Sequence, residues 1–297
     1  DLARRLATAA FHLTSAYDTA ISSYLAAEDG PRGFPEAAGV SVRKRQPLRY
    51  GENPHQQGAW YVSASGVVWG LGTLTQLQGK ALSYNNLLDL DAALRCLLDF
   101  DEPTCTVIKH HSHCGLASAA APLDACRRAL ACDPDSAFGG VVGCNRPIDA
   151  ALAGQMASTF LEVILAPSVE PQAAAVFGKK PNLRVVTVDW PSRIPPGPEW
   201  RHLLGSWLLQ DPEGLAVKAD SLQVVTQRLP SEQERVDLLF AWRAVKHVKS
   251  NGIVLAADRA TVGIGQGQPS RVGAVRLAIQ QAGGRSRQAV AASDGFF

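Results

Sequence analysis

From residue 40 onward, short apolar or alternating runs take turns with amphipathic stretches, and this alternation limits the folds open to the chain more than any other property. The strand-like runs are Gly58 to Val62, Thr104 to Ile108, Gly140 to Cys144, Val163 to Ala166 and Leu183 to Val188. Helical periodicity occupies 86 to 99, 122 to 131, 149 to 160 and 170 to 177. Such an order predicts an α/β fold in which helices cover a mixed or mostly parallel sheet. A second cycle follows. Leu222 to Thr226 reads as a strand, and Ser231 with Glu234 forms a capping box that opens a helix ending in Lys246, His247 and Lys249. Gly252 to Leu255 and Thr261 to Ile264 read as strands, a helix follows Ser270, and Ala289 to Ala292 begins another strand. Ahead of both cycles, Leu2, Leu6, Ala10, Leu13, Tyr17, Ile21 and Tyr24 recur at helical spacing, and the turn-rich Asp29 to Pro35 reads as a linker. The proline-rich Pro191 to Glu199 is a second junction.

With 297 residues, 46% of them hydrophobic, the chain can bury a large core. A formal charge of +2, with no long basic run and no finger spacing, argues against nucleic acid as a partner. No apolar run reaches the roughly 18 to 20 residues that span a bilayer, so no membrane is expected and the cytoplasm is the expected location. The six cysteines all lie between Cys96 and Cys144 without CxxC pairing, and read as reduced, mostly buried thiols. His110, His111, His113 and Cys114 sit too close along the chain to converge on one ion, so no metal site is expected.

The run from Thr104 to Gly115 carries the candidate chemistry. A β-branched stretch delivers Lys109 and His110 to its end, and a glycine follows at Gly115. In α/β proteins ligands collect at the carboxyl ends of strands. A cation beside an imidazole that titrates near neutrality suits proton transfer coupled to stabilisation of an oxyanion.

Around this pair the chain carries Leu48-Arg49-Tyr50-Gly51-Glu52-Asn53-Pro54-His55-Gln56, Gly79-Lys80-Ala81-Leu82-Ser83-Tyr84-Asn85-Asn86, Asp133-Pro134-Asp135-Ser136-Ala137-Phe138-Gly139-Gly140, and Leu161-Glu162-Val163-Ile164-Leu165-Ala166-Pro167. Val245-Lys246-His247-Val248-Lys249-Ser250-Asn251, then Val262 to Arg271, and finally Ser293-Asp294-Gly295-Phe296-Phe297 complete the set. Taken in this order, the segments resemble the transformylase half of the bifunctional AICAR transformylase/IMP cyclohydrolase family. The resemblance implies formyl transfer from 10-formyltetrahydrofolate to AICAR in purine biosynthesis, a homodimer, and two cytidine-deaminase-like α/β/α subdomains at 36–195 and 196–297. The second would be incomplete, because the family runs on past the point matching Phe297. Residues 1–35 would then be the last helix and linker of a cyclohydrolase domain, and no cyclohydrolase activity is expected.

Residue by residue, the resemblance makes His110 the general base, Lys109 an electrostatic stabiliser or proton donor, and Asn251 the amide that positions the formyl group. It assigns Arg49, Gly139, Glu162, Arg271 and Phe296 to substrate contacts, and allows a structural K+ near Asp294. The rival reading is a degenerate chain that keeps only nucleotide or folate binding, or dimerisation. One departure touches the pair itself: the family usually has Asn-Pro or Ser-Pro where this chain has Ser112-His113, and loss of the proline's fixed φ is expected to loosen the loop.

Overall fold

A computed structural model describes residues 1–28, 34–64, 66, 68–191, 194, 197–214 and 222–295. Contacts divide the chain into two compact units. One comprises Asp1–Thr73 with Ile194–Gly214, and the other Leu74–Arg193 with Leu215–Phe297.

The first unit holds helix α1 (Leu2–Glu28), the antiparallel pair β1 (Val42–Leu48) and β2 (Gly58–Ser63), and the hairpin β9 (Glu199–Leu203) and β10 (Ser206–Gln210). The apolar positions along α1 form the expected helix, yet Leu2, Leu6, Leu13 and Tyr17 are exposed.

The second unit is built on a nine-stranded sheet. Its strands and helices are, in chain order, β3 (Thr75–Gln78), α2 (Tyr84–Leu97), β4 (Thr104–Lys109), β5 (Ser112–Ser118), α3 (Pro122–Leu130), α4 (Pro134–Ala137), β6 (Gly140–Cys144), α5 (Ala150–Ala157), β7 (Leu161–Ala166), α6 (Pro171–Phe177), β8 (Arg184–Thr187), α7 (Glu232–Val245), β11 (Ile253–Ala257), β12 (Ala260–Gly265), α8 (Arg271–Ala282) and β13 (Val290–Ser293). The strand order is β13-β11-β12-β5-β4-β6-β7-β8-β3. Only β6, β7 and β8 run parallel, joined by the crossover helices α5 and α6. All other neighbours are antiparallel, so the sheet is mixed.

Both faces are covered, which explains why the central strands read as continuous apolar runs. Along β11, Val254 and Ala256 enter a core with Phe240 and Ala244 of α7 and Cys96 of α2, whereas Ile253 and Leu255 pack with Ala274 and Ala278 of α8. Helices α3, α5 and α6 supply Ala125, Cys126, Leu152, Met156 and Phe177 to a third cluster with Val107 and Ile164. All six cysteines are buried with free thiols, as expected. Burial lifts the thiols of Cys96 and Cys114 to about 12, which makes them inert core residues.

Two expectations need correction. Leu222 to Thr226 forms no strand; its side chains are largely exposed and it joins no ladder among the described residues. The segment after His110 is not a loosened loop. Ser112 to Ser118 is β5, a fully buried central strand paired with β4, and His113 sits opposite Ile108 at 0% exposure. The ladder with β4 holds this segment.

Candidate functional site

Strands β4 and β5 are joined by the two residues His110 and His111, both with positive φ (51° and 67°). Both central residues lie in the left-handed region, the turn whose twist matches a hairpin and which usually takes Asn-Gly. Histidine is tolerated there better than most side chains. The turn is held from below, because the His111 N–H donates to Asp89 Oδ1 at 2.8 Å. Asp89 projects from α2, whose start is fixed by a capping box between Ser83 and Asn86. Burial pushes the Asp89 carboxyl up, against the pull of the His111 N–H and of the charges on His111, His110 and Lys109.

Lys109 closes β4, and its ammonium donates to the carbonyl of Phe138 at 2.7 Å. Gly139 follows with φ +69° and donates its N–H to the carbonyl of Phe160 at 2.7 Å. A Cβ at Gly139 would stand 3.3 Å from Lys109 Nζ and 3.4 Å from the Phe160 ring, so glycine lets the lysine, the turn and the ring meet. Beyond Phe160 a cavity of about 380 Å³ is lined by Lys80, Glu162, Lys180 and Arg184, among others. Glu162 is paired there with Arg184 at 2.8 Å.

On the other side, Lys109 and His110 line a cavity of about 370 Å³ together with Ser112, Asp133, Ser136, Lys249, Gln266 and Gln281. This space lies beside the start of β5 and the end of β12. The Ser112 hydroxyl donates to Gln266, and Gln281 donates from its amide to Asp133 at 2.8 Å. Asn251 stands in the loop after α7, behind a cis Ser250–Asn251 peptide. It does not cap a helix. Its amide donates to the carbonyls of Gln268 at 2.9 Å and Pro269 at 3.3 Å, which ties this loop to the one that opens α8.

Arg271 begins α8 and donates to Ser293 Oγ at 2.9 Å and to Asp294. Burial opposes ionisation of Asp294, but hydrogen bonds from Ser250 and Arg271 hold its carboxyl below the usual carboxylate range. Arg49 belongs to the other unit, directly after β1, exposed and 5.7 Å from the Tyr50 ring centre. Phe296 lies outside the described residues.

The structure therefore gathers Lys109, His110 and Gly139 at one strand end, and puts Glu162 in the cavity beyond Phe160. Sequence reasoning missed Lys249, Gln266 and Gln281 as cavity residues. Only the meeting of β5 with β12 exposes them, and no local motif announces it. His113 lines the same cavity as Lys109, yet neither of its ring nitrogens has a hydrogen-bond partner, and burial pulls its pKa down to about 3.

The sheet is mixed, and one of its strand ends presents a lysine and an imidazole beside a polar cavity. Comparison with known proteins supplies the assignment. Residues 1–281 match the family model described as AICARFT/IMPCHase bienzyme, and the chain belongs to that family. It is 46% identical to the bifunctional purine biosynthesis protein PurH of Roseobacter denitrificans over 285 residues, 95% of this chain and 53% of the relative. The PurH proteins of Synechococcus elongatus (47% over 300 residues) and Enterococcus faecalis (45% over 296) each cover 99% of the chain, which covers 57% and 58% of them. The chain thus spans about half the length of the curated relatives it matches.

Proposed function

We propose that this chain transfers a formyl group from 10-formyltetrahydrofolate to the amine of AICAR. The observation that carries the reading is the strained tip of the β4–β5 hairpin. It holds a lysine and a histidine side by side above a polar cavity, in a chain whose relatives are purine biosynthesis enzymes. The amine of an imidazole carboxamide is a weak nucleophile, so a base must remove its proton as the bond forms, and His110 has the chemistry for that. Lys109, oriented by the Phe138 carbonyl, would face the oxygen that gains charge. The Asn251 amide nitrogen is already engaged, which leaves its carbonyl oxygen to orient a donor on the ligand.

The same reading extends to Arg49, Gly139, Glu162, Arg271 and Phe296 as substrate contacts. It also takes 36–195 and 196–297 as paired cytidine-deaminase-like subdomains, supported by the repeated helix–strand–strand–helix unit. A homodimer is supported by the apolar hairpin β9–β10, where Leu204, Trp207 and Leu208 are exposed. Light scattering tests it. A K+ near Asp294 would share that carboxylate with Arg271, and a melting temperature unchanged between K+ and choline would remove the ion.

The decisive experiment is tetrahydrofolate release from 10-formyltetrahydrofolate in the presence of AICAR, with His110→Ala beside the unaltered chain. Transfer that disappears in the variant establishes the reading; a folded chain that binds both ligands without transfer removes it.

A further inference from the structure

Lys249 lies in the loop between α7 and β11, and this loop is clamped. Gly267 donates its N–H to the Lys249 carbonyl at 2.9 Å, and Asn251 donates to Gln268 O through its backbone N–H at 3.3 Å. The Lys249 side chain is exposed and lines the same cavity as Lys109 and His110. Among the described residues no carboxylate pairs with it. The one carboxylate that lines the cavity, Asp133, is occupied by the Ser136 N–H at 3.0 Å and the Gln281 amide at 2.8 Å. Lys109 has one N–H committed to the Phe138 carbonyl. Two lysines, one from the end of β4 and one from the α7–β11 loop, thus line a cavity with a single carboxylate among its described lining residues, and that carboxylate is held by neutral donors. Such a field attracts a negative charge that arrives or develops inside it.

We infer that Lys249 is a second cation of the transfer site, holding the negative charge that builds on the formyl oxygen during transfer. The inference deepens the formyl-transfer reading and rests on it. In the first step the AICAR amine nitrogen bonds to the formyl carbon, the carbonyl π pair moves onto the formyl oxygen, and the amine proton passes to the His110 imidazole. In the second, that pair returns, the bond from the formyl carbon to N10 of the folate breaks, and N10 takes the proton from His110. The oxygen is anionic only between the two steps. A cation that acts there changes the rate of transfer and leaves ground-state binding alone.

The competing assignment is a solvated lysine with no role, and single-turnover transfer separates the two. With Lys249→Gln the transfer rate should fall by about 10- to 100-fold, at or below the cost of losing an enclosed donor. Dissociation constants for AICAR and for tetrahydrofolate, measured by calorimetry, should stay within about twofold. Lys249→Arg, which keeps the charge, should recover most of the rate. An unchanged rate in Lys249→Gln overturns the inference, as does a loss that lies wholly in the dissociation constants or an arginine variant no better than glutamine. An unaltered chain that fails to transfer removes the formyl-transfer reading instead, and the inference with it. The side chain is exposed, so each variant should melt with the unaltered chain.

Discussion

The β4–β5 and β11–β12 hairpins are two versions of one design, and their differences separate what the fold requires from what the site requires. Each follows a helix opened by a capping box, at Ser83 with Asn86 and at Ser231 with Glu234. Each helix carries an aspartate whose carboxylate accepts a backbone N–H from a residue 22 positions later, Asp89 from His111 and Asp237 from Arg259. Both turns place two non-glycine residues at positive φ, His110 and His111 in one, Asp258 and Arg259 in the other. Each second strand then packs a glycine onto the following helix. A Cβ on Gly115 would stand 2.0 Å from the carbonyl of Ala129, and one on Gly263 would stand 2.1 Å from that of Ala278.

Ser83 and Ser231, Asp89 and Asp237, His111 and Arg259, and Gly115 and Gly263 are separated by one and the same interval along the chain. Within that frame Ala257 stands for Lys109, Asp258 for His110 and Thr261 for His113. Capping boxes, turn supports and close-packed glycines belong to the fold because both hairpins keep them. A Lys-His pair stands at the tip of the β4–β5 hairpin only. At the other tip, Arg128 donates to the carbonyls of Asp258 and Ser118.

The largest effect should come from exchanging the tips. His110→Ala should slow formyl transfer by about 100- to 10,000-fold, the range for removal of a general base. Asp258→Ala should leave transfer within about twofold, since its position supports only the turn. Equal losses in a steady-state assay would erase the distinction between site and scaffold.

Next come the shared glycines. Gly115→Ala and Gly263→Ala should each destabilise by about 3 kcal/mol or more, because a backbone carbonyl rather than a flexible side chain must move. Urea unfolding measures both, and one benign variant would show that the two hairpins pack differently.

The third contrast is His113 against Thr261. The Thr261 hydroxyl accepts the Leu116 N–H at 2.9 Å and donates to the Leu116 carbonyl at 3.2 Å, whereas both nitrogens of His113 lack partners. The folded chain keeps His113 neutral down to about pH 3, while the unfolded chain binds that proton near 6.5. Between those values the unfolded state holds more protons, so stability falls as pH falls, by up to about 1.4 kcal/mol per pH unit from this group. His113→Thr should flatten that slope in denaturant melts at pH 6 and pH 4. A slope equal to that of the unaltered chain would assign acid sensitivity elsewhere.

The smallest effect lies in the turn supports. Asp237 is buried and accepts N–H bonds from both Asp258 and Arg259, so Asp237→Ala should cost about 2 kcal/mol. Asp89 is half-buried and accepts one, so Asp89→Ala should cost about 1 kcal/mol. Thermal melts that reverse this order would mean that the His110–His111 turn depends on its support more than its partner does.

Much of the second unit was legible, because strand and helix periods are local. Gly140 to Cys144 and the capping box at Ser231 were read directly, and the strands at Thr104 and Val163 were read to within a residue or two. Strand β5 was hidden by its composition. Small and polar residues alternate there without a clear apolar face, and a His-His turn lacks the Asn-Gly signature of a hairpin. Strands β1 and β3 were hidden by polar, half-exposed residues, and Leu222 to Thr226 shows the converse, since apolar residues form no strand without a ladder to join. Lys109 and His110 were legible as the end of a β-branched run. Lys249 and Gln266 were not, because they reach the cavity only where β5 and β12, strands far apart in the chain, lie side by side.

That junction is thin. Strands β5 and β12 share one bridged pair, Ala117 with Ala260, and the Thr261 hydroxyl takes the place of backbone ladder bonds at Leu116. Ser112 stands on one side of the seam, and Gln266 follows the strand on the other. A molecule seated in the cavity would touch both sides and act as a rivet across this seam. By mass action it should slow amide exchange at Leu116, Ala117 and Ala260 more than at the well-laddered strands β6 and β7, so that occupancy of the site is written into the breathing of the sheet.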